Sequence, residues 1–300
     1  MNTLPDSGRH APAGRPDRSP AWCHARRRVL AVSLILASMP ALGSHQHINA
    51  GALGSQAGAP LSFVNGDRFV AESGYVMPMQ PATAGPRAGL HAGSVTFTAL
   101  PAGLDYGGPA FGHAAPGSRL ELVVETVVGP AGGRFGFWET AGESEGTELT
   151  FEVPVGETDG SHRFPLSESF GASGDDPYGH IHGRVFTVDL PGLYRVGMRL
   201  IDTSVNGADG GPLHPPSERY VFQLQAGVTL AWIEVGENTV QIAFGALARS
   251  VYQVERADRL GDPGAWSPVG APVQGTDRLE TVTVPLEAGP RFFRLRRTSV

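Results

Sequence analysis

Hydrophobic and polar residues alternate along most of the chain in short runs rich in Val, Thr, Phe and Tyr. Such alternation is typical of β-strands that bury one face, and Gly, Pro and Asp separate the runs, as turns require. No long segment shows the 3.6-residue apolar period of an amphipathic helix. The pattern therefore predicts an all-β fold, a sandwich or a barrel. The expected strands cover residues 94–98, 119–126, 148–153, 184–188, 193–200 and 219–224.

A second series of strand patterns begins after residue 226 and covers residues 229–235, 240–244, 251–255, 281–284 and 291–295. We therefore expect two domains, a β-sandwich over residues 44–226 and a small β-sandwich over residues 227–300. The segment around Tyr252, Trp266 and the closing Arg-Phe-Phe-Arg-Leu resembles the fibronectin-type-III-like modules that end many exported bacterial proteins. This resemblance implies a spacer or adhesion role for the smaller domain.

The N-terminus has the layout of a signal peptide. Three arginines at residues 26–28 precede an apolar run over residues 29–37, and small residues precede Ser44. The apolar run is too short to span a bilayer, so it predicts a cleaved signal over residues 1–43 and no transmembrane anchor. The expected location is the periplasm, the cell surface or the extracellular space. The adjacent arginines leave open whether export is general or of the twin-arginine type.

Charge and cysteine content narrow the possible partners. The chain has no lysine, and residues 44–300 carry 17 arginines against 27 acidic residues, a net charge of −10. Such a surface repels phosphate backbones, which argues against nucleic acid as a partner and favours cations. The single cysteine, Cys23, belongs to the predicted signal peptide. A metal ion in the exported chain would therefore be held by histidine, carboxylate or water.

The histidines form a pattern that favours metal binding. Every histidine beyond residue 43 lies between residues 45 and 214, and two His-x-His pairs stand out, His45 with His47 and His180 with His182. In a β-strand, residues two apart face the same side with Cα atoms roughly 6.5–7 Å apart. Two such imidazoles can bind one Zn²⁺ ion at about 2.0–2.1 Å. We therefore predict a zinc site that joins the two pairs.

Other side chains are secondary candidates for that site. His113 and His214 lie in loops that could fold over it and replace one of the four ligands. Glu139 follows an aromatic run and is a candidate carboxylate beside the metal, or else an exposed residue at a strand end. His91 and His162 lack partner spacing and are interpreted as solvated loop histidines.

Several segments of residues 45–226 resemble a family of exported bacterial proteins repressed by the zinc-uptake regulator Zur, many of which carry a PEP-CTERM sorting signal. The likeness begins with His-Gln-His-Ile-Asn-Ala-Gly-Ala at residues 45–52 and is strongest in Asp-Pro-Tyr-Gly-His-Ile-His-Gly-Arg-Val-Phe-Thr at residues 176–187. It continues through residues 202–214. The C-terminus departs from the family, because the fibronectin-like module replaces the sorting motif.

The resemblance implies expression under zinc limitation and a role in zinc handling outside the cytoplasm. We expect this role to be non-enzymatic. Two other classes stay open. The first is an enzyme, with three histidines and a water on zinc and Glu139 as base. A copper-dependent enzyme would need signal cleavage that leaves His45 as the first residue of the mature chain, as in oxidative polysaccharide-cleaving enzymes. The second is an adhesion or matrix protein that binds an envelope component and has incidental histidines.

Overall fold

Strands dominate the computed structural model, which describes residues 47–94, 96–103, 112–139, 147–261, 263–286 and 291–299. The prediction of an all-β protein is confirmed. The helical elements of the described residues are short 3₁₀ turns, Gly66–Arg68, Ala71–Ser73, Ala208–Gly210 and Pro263–Ala265. The predicted signal peptide and His45 lie outside the described residues.

Twelve strands precede residue 227 in the described chain. They are β1 His47–Ala52, β2 Leu61–Phe63, β3 Met77–Pro81, β4 His91–Ser94, β5 Thr96–Ala99, β6 Leu120–Val128, β7 Arg134–Glu139, β8 Glu148–Pro154, β9 His162–Pro165, β10 Val185–Val188, β11 Gly192–Asp202 and β12 Tyr220–Ala226. They form a three-stranded sheet in the order β2-β1-β5 and a nine-stranded sheet in the order β8-β7-β10-β4-β3-β12-β11-β6-β9. Two pairs are parallel, β1 with β5 and β12 with β3.

The nine-stranded sheet curls until its two edge strands meet. Phe151 of β8 stacks on His162 of β9, with ring centroids 5.0 Å apart. The sheet is therefore nearly closed into a barrel, an arrangement that protects unpaired strand edges from pairing with other chains. The three-stranded sheet contributes Ile48, Phe63 and Phe97 to the same apolar core.

Six strands follow residue 227 in the described chain. They are β13 Leu230–Val235, β14 Thr239–Ala246, β15 Val251–Ala257, β16 Ser267–Gln274, β17 Arg278–Pro285 and β18 Phe292–Ser299. They form two three-stranded sheets, β13-β14-β17 and β16-β15-β18, around an apolar core of their own that includes Phe244 and Tyr252. The segment is sandwich-like. Its specific likeness to fibronectin modules stays a prediction.

The two cores are joined by close backbone contacts. Tyr75 and Arg278 form an antiparallel bridge, and the Val76 N–H donates to the carbonyl of Asp277 at 2.9 Å. The fully buried Gln225 amide donates to the carbonyl of Gly245 at 2.9 Å. A Cβ at Gly245 would overlap that amide, so the contact requires glycine.

Within the described residues, no helix has both the length and the apolar character needed to cross a bilayer.

Candidate metal centre

The first strand places His47 at the start of a parallel pair. His47 lies opposite Thr96 of β5, and its Nδ1 is 2.9 Å from the hydroxyl of Thr98 two residues further along that strand. The Asn65 side chain fixes the backbone on the other side. It donates to the carbonyl of His47 at 2.9 Å and accepts from the Asn49 N–H at 2.8 Å. The position of this imidazole is therefore held by both neighbouring segments.

The segment that carries the second histidine pair is pinned to the end of β5. Gly179 and Ala99 exchange both backbone hydrogen bonds, at 2.8 and 3.2 Å. The carboxylate of Glu168 accepts from the His180 N–H at 2.9 Å. A Cβ at Gly179 would overlap the carbonyl oxygen of Leu166 and lie 2.8 Å from its carbon, so the close approach requires glycine. The segment precedes β10 and is not itself a strand, in contrast to the expectation from sequence.

Three histidines of the two predicted pairs meet in space. The ring centroids of His47 and His180 are 4.7 Å apart with an interplanar angle of 63°, and those of His180 and His182 are 4.3 Å apart. His47 and His180 are half-buried, whereas His182 is exposed. We call these three side chains the histidine cluster. It joins positions 133 residues apart in the sequence.

A polar groove of about 450 Å³ borders the histidine cluster at His47. Its lining includes Arg68, Tyr75, Asp277 and Arg278, which come from both halves of the chain. Burial, and secondarily the charge of Asp277, raise the pKa of Tyr75 to about 12, so its phenol stays neutral. Because the groove is open, solvent and small ions can reach the His47 side of the histidine cluster.

Glu139 is engaged by an arginine. The side chain of Arg184 is only 3% exposed. Its guanidinium donates to one carboxylate oxygen of Glu139, from Nε at 2.9 Å and from a terminal nitrogen at 2.8 Å. The rings of Phe137 and Phe164 lie 5.8 and 5.2 Å from the guanidinium carbon. Desolvation lowers the pKa of Arg184, and the carboxylate opposes that effect. The described contacts of Glu139 therefore stabilise a buried charge.

His214 has both ring nitrogens in hydrogen bonds to backbone. Nδ1 donates to the carbonyl of Ala59 at 2.6 Å, and Nε2 accepts from the Ala115 N–H at 2.8 Å, with the residue 1% exposed. No lone pair is left for a metal ion, so we leave His214 out of the ligand set. Nδ1 of His113 donates to the carbonyl of Ala114 at 2.7 Å, a local contact that does not place it with the histidine cluster.

A different group of side chains could also hold a metal ion. The ligand atoms of Glu157, Asp159 and His162 all lie within 4.8 Å of one another, and Nε2 of His162 is 3.2 Å from Glu157. Hydrogen bonds from the backbone and hydroxyl of Ser161 lower the pKa of Asp159. His162 stacks on Phe151, so its interpretation as a solvated loop residue is wrong. The three residues lie within six positions of the sequence, so their closeness could have been predicted from it.

No protein-family model matches the chain, and no curated protein matches it either.

Proposed function

We propose that this chain is an exported zinc-binding protein that handles zinc under zinc limitation and catalyses no reaction. The observation that carries the proposal is the convergence of His47, His180 and His182. The three imidazole rings adjoin one another in a partly exposed position, edge to face between His47 and His180 and tilted between His180 and His182, so they are not simply part of the hydrophobic core. Imidazole nitrogens are preferred ligands of Zn²⁺.

The rings lie near the spacing of a shared ion, but the nitrogens of His47, His180 and His182 do not all come within 4.8 Å of one another in the described structure, so zinc binding requires the rings to turn. Two imidazoles that bind one zinc ion at 2.0–2.1 Å with a tetrahedral angle have ring centroids roughly 5 Å apart. The centroid distances of 4.7 and 4.3 Å in the histidine cluster are slightly shorter. Small rotations about the side-chain torsions of all three histidines would supply the difference at low cost. A fourth ligand would complete the site, and His45, two residues before His47, is the candidate.

The surroundings support binding more than catalysis. Glu139, the candidate base of a hydrolytic site, is held by the buried Arg184. The acidic surface of residues 44–300 raises the local concentration of cations within about 8–10 Å at ordinary salt. The two arginines of the neighbouring groove would disfavour a second cation beside the first.

Metal analysis of the purified exported chain tests the proposal. We expect close to one zinc ion per chain in the wild type, and almost none in the double variant His180→Ala/His182→Ala. The matched control His113→Ala/His162→Ala removes the same number of imidazoles and should keep its zinc. Loss of zinc in the control alone would assign the metal to Glu157, Asp159 and His162. Equal zinc in all three proteins would overturn the proposal.

Two further measurements separate zinc handling from an adhesion protein with incidental histidines. Zinc at 100 times its dissociation constant should stabilise the folded state by about 2.7 kcal/mol, because the site exists only in that state. For a chain of this size, that corresponds to a rise in Tm of roughly 5–10 °C. Transcript levels should rise when the producing cells are depleted of zinc with a chelator. An unchanged Tm together with unchanged transcript levels would favour adhesion.

A further inference from the structure

An apolar cavity of about 500 Å³ lies beside β3. It shares Phe69, Tyr75 and Asp277 with the groove next to the histidine cluster but is otherwise lined by different residues. Native protein interiors are packed as tightly as organic crystals and leave few voids larger than a water molecule. A cavity of this size is in the range of small-molecule binding sites, which measure about 300–1,000 Å³.

The floor of the cavity is built from core side chains of both sheets. Ile48 of β1 and Phe97 of β5 come from the three-stranded sheet, and they are 3% and 1% exposed. Phe186 of β10 and Leu224 of β12 come from the nine-stranded sheet and are as deeply buried. The cavity therefore reaches the main hydrophobic core, and a polar molecule would lose its hydration there without compensation.

The mouth of the cavity carries polar groups at two ends of β3. Gln80, with the half-buried Arg87 of the following loop, lies at the C-terminal end, and Tyr75 with Asp277 lies before the strand begins. The five residue steps from Tyr75 to Gln80 span about 16 Å of extended chain. The lining is thus elongated, apolar in its depth, cationic at one end and anionic at the other.

We propose that this cavity binds a single-chain amphiphile with a carboxylate head group, a medium-chain fatty acid being the simplest member of the class. The apolar chain lies over the floor residues, and the carboxylate lies at the Arg87 end. A guanidinium has five N–H donors, so it can bind a carboxylate in addition to its contacts within the protein. The carboxylate is assigned to the Arg87 end because Arg87 lines the cavity itself, whereas Arg68 and Arg278, at the Asp277 end, line only the neighbouring groove. The proposal is independent of zinc.

Calorimetric titration of the full exported chain with dodecanoate, below its micelle concentration, tests the proposal. We expect saturable binding at one molecule per chain and a rise in Tm with dodecanoate concentration. Dodecanol, which lacks the charge, should bind about tenfold more weakly. Dodecyltrimethylammonium should bind more weakly still. No saturable heat and no change in Tm with dodecanoate would overturn the proposal.

Two variants locate the ligand. Ala92→Phe fills the half-buried part of the cavity on β4 and should weaken both dodecanoate and dodecanol by about tenfold or more. Arg87→Gln removes the charge at the mouth and should weaken dodecanoate by about tenfold while leaving dodecanol unchanged. The control Arg134→Gln changes an exposed arginine on β7 and should alter neither affinity.

Two results from these variants would contradict the proposal. Unaltered dodecanoate binding in a folded Ala92→Phe protein would place the ligand elsewhere and overturn the proposal. Equal losses for acid and alcohol in Arg87→Gln would overturn the assignment of the carboxylate to that end. If Ala92→Phe does not fold, the dodecanoate-dependent Tm of the wild type and the Arg87→Gln comparison decide the question.

Discussion

Replacing Gly179 by alanine should separate the fold from the histidine cluster. A Cβ at this position would overlap the Leu166 carbonyl oxygen and lie 3.0 Å from the backbone nitrogen of Glu168. These are backbone atoms, so the segment carrying His180 must move away, by a distance on the order of 1 Å. Metal ligands tolerate deviations of only about 0.2 Å, so the affinity for zinc should fall at least about tenfold.

The stability cost can be worked out from the same contacts. The movement breaks the two hydrogen bonds between Gly179 and Ala99, each with a net contribution of about 1 kcal/mol. A loss of about 2 kcal/mol lowers the Tm of a chain of this size by roughly 4–8 °C. Thermal unfolding by circular dichroism and zinc titration by calorimetry measure the two effects.

The matched control is Gly236→Ala, in the hairpin between β13 and β14. A Cβ there would lie no closer than 3.4 Å to any neighbour, which is ordinary van der Waals contact. This variant should keep the Tm and the zinc affinity of the wild type. If Gly179→Ala matches Gly236→Ala in both measurements, then the glycine at 179 does not position the imidazole and the reasoning fails.

Two other carboxylates allow tests away from the histidine cluster. Glu139→Ala leaves the buried Arg184 guanidinium unpaired and should cost about 3 kcal/mol of stability with no loss of zinc; zinc lost from a folded variant would restore Glu139 as a ligand. Burial raises the pKa of Glu125, but hydrogen bonds and charge from two arginines outweigh it and hold that pKa below 4.5. The resulting stability is present above pH 4.5 and lost as the pH falls through the lowered pKa. Glu125→Gln should therefore lower the Tm at pH 7 and approach the wild type near pH 3; a constant difference between the two would contradict this.

Strand positions were predictable because alternation reports burial directly. The patterns at residues 119–126, 193–200 and 219–224 lie within one or two residues of β6, β11 and β12. The short strands β1 and β2 were missed, since β2 is only three buried residues long and β1 ends in the small buried residues Ala50, Gly51 and Ala52, which give little apolar alternation. The parallel pair of β1 with β5 depends on long-range packing, which local patterns do not encode.

The candidate site was predictable only in part. Spacing in the sequence singled out His47, His180 and His182, and the structure brings these three together. Spacing along the sequence carries no information about hydrogen bonds, so it does not reveal that backbone groups occupy both nitrogens of His214. It also overlooked His162, whose partners Glu157 and Asp159 are close in sequence but are not arranged as a strand pair.

The contact between His47 and His180 closes a loop of 133 residues in a stretch of chain that contains no cysteine. A metal ion bound there would act as a removable cross-link, restricting the unfolded chain as a disulfide does. For a loop of about 100 residues, that restriction amounts to roughly 4.7 kcal/mol in the chain-entropy view. Scarcity of the metal would then loosen the protein itself, so that its resistance to proteases would track the supply of the ion.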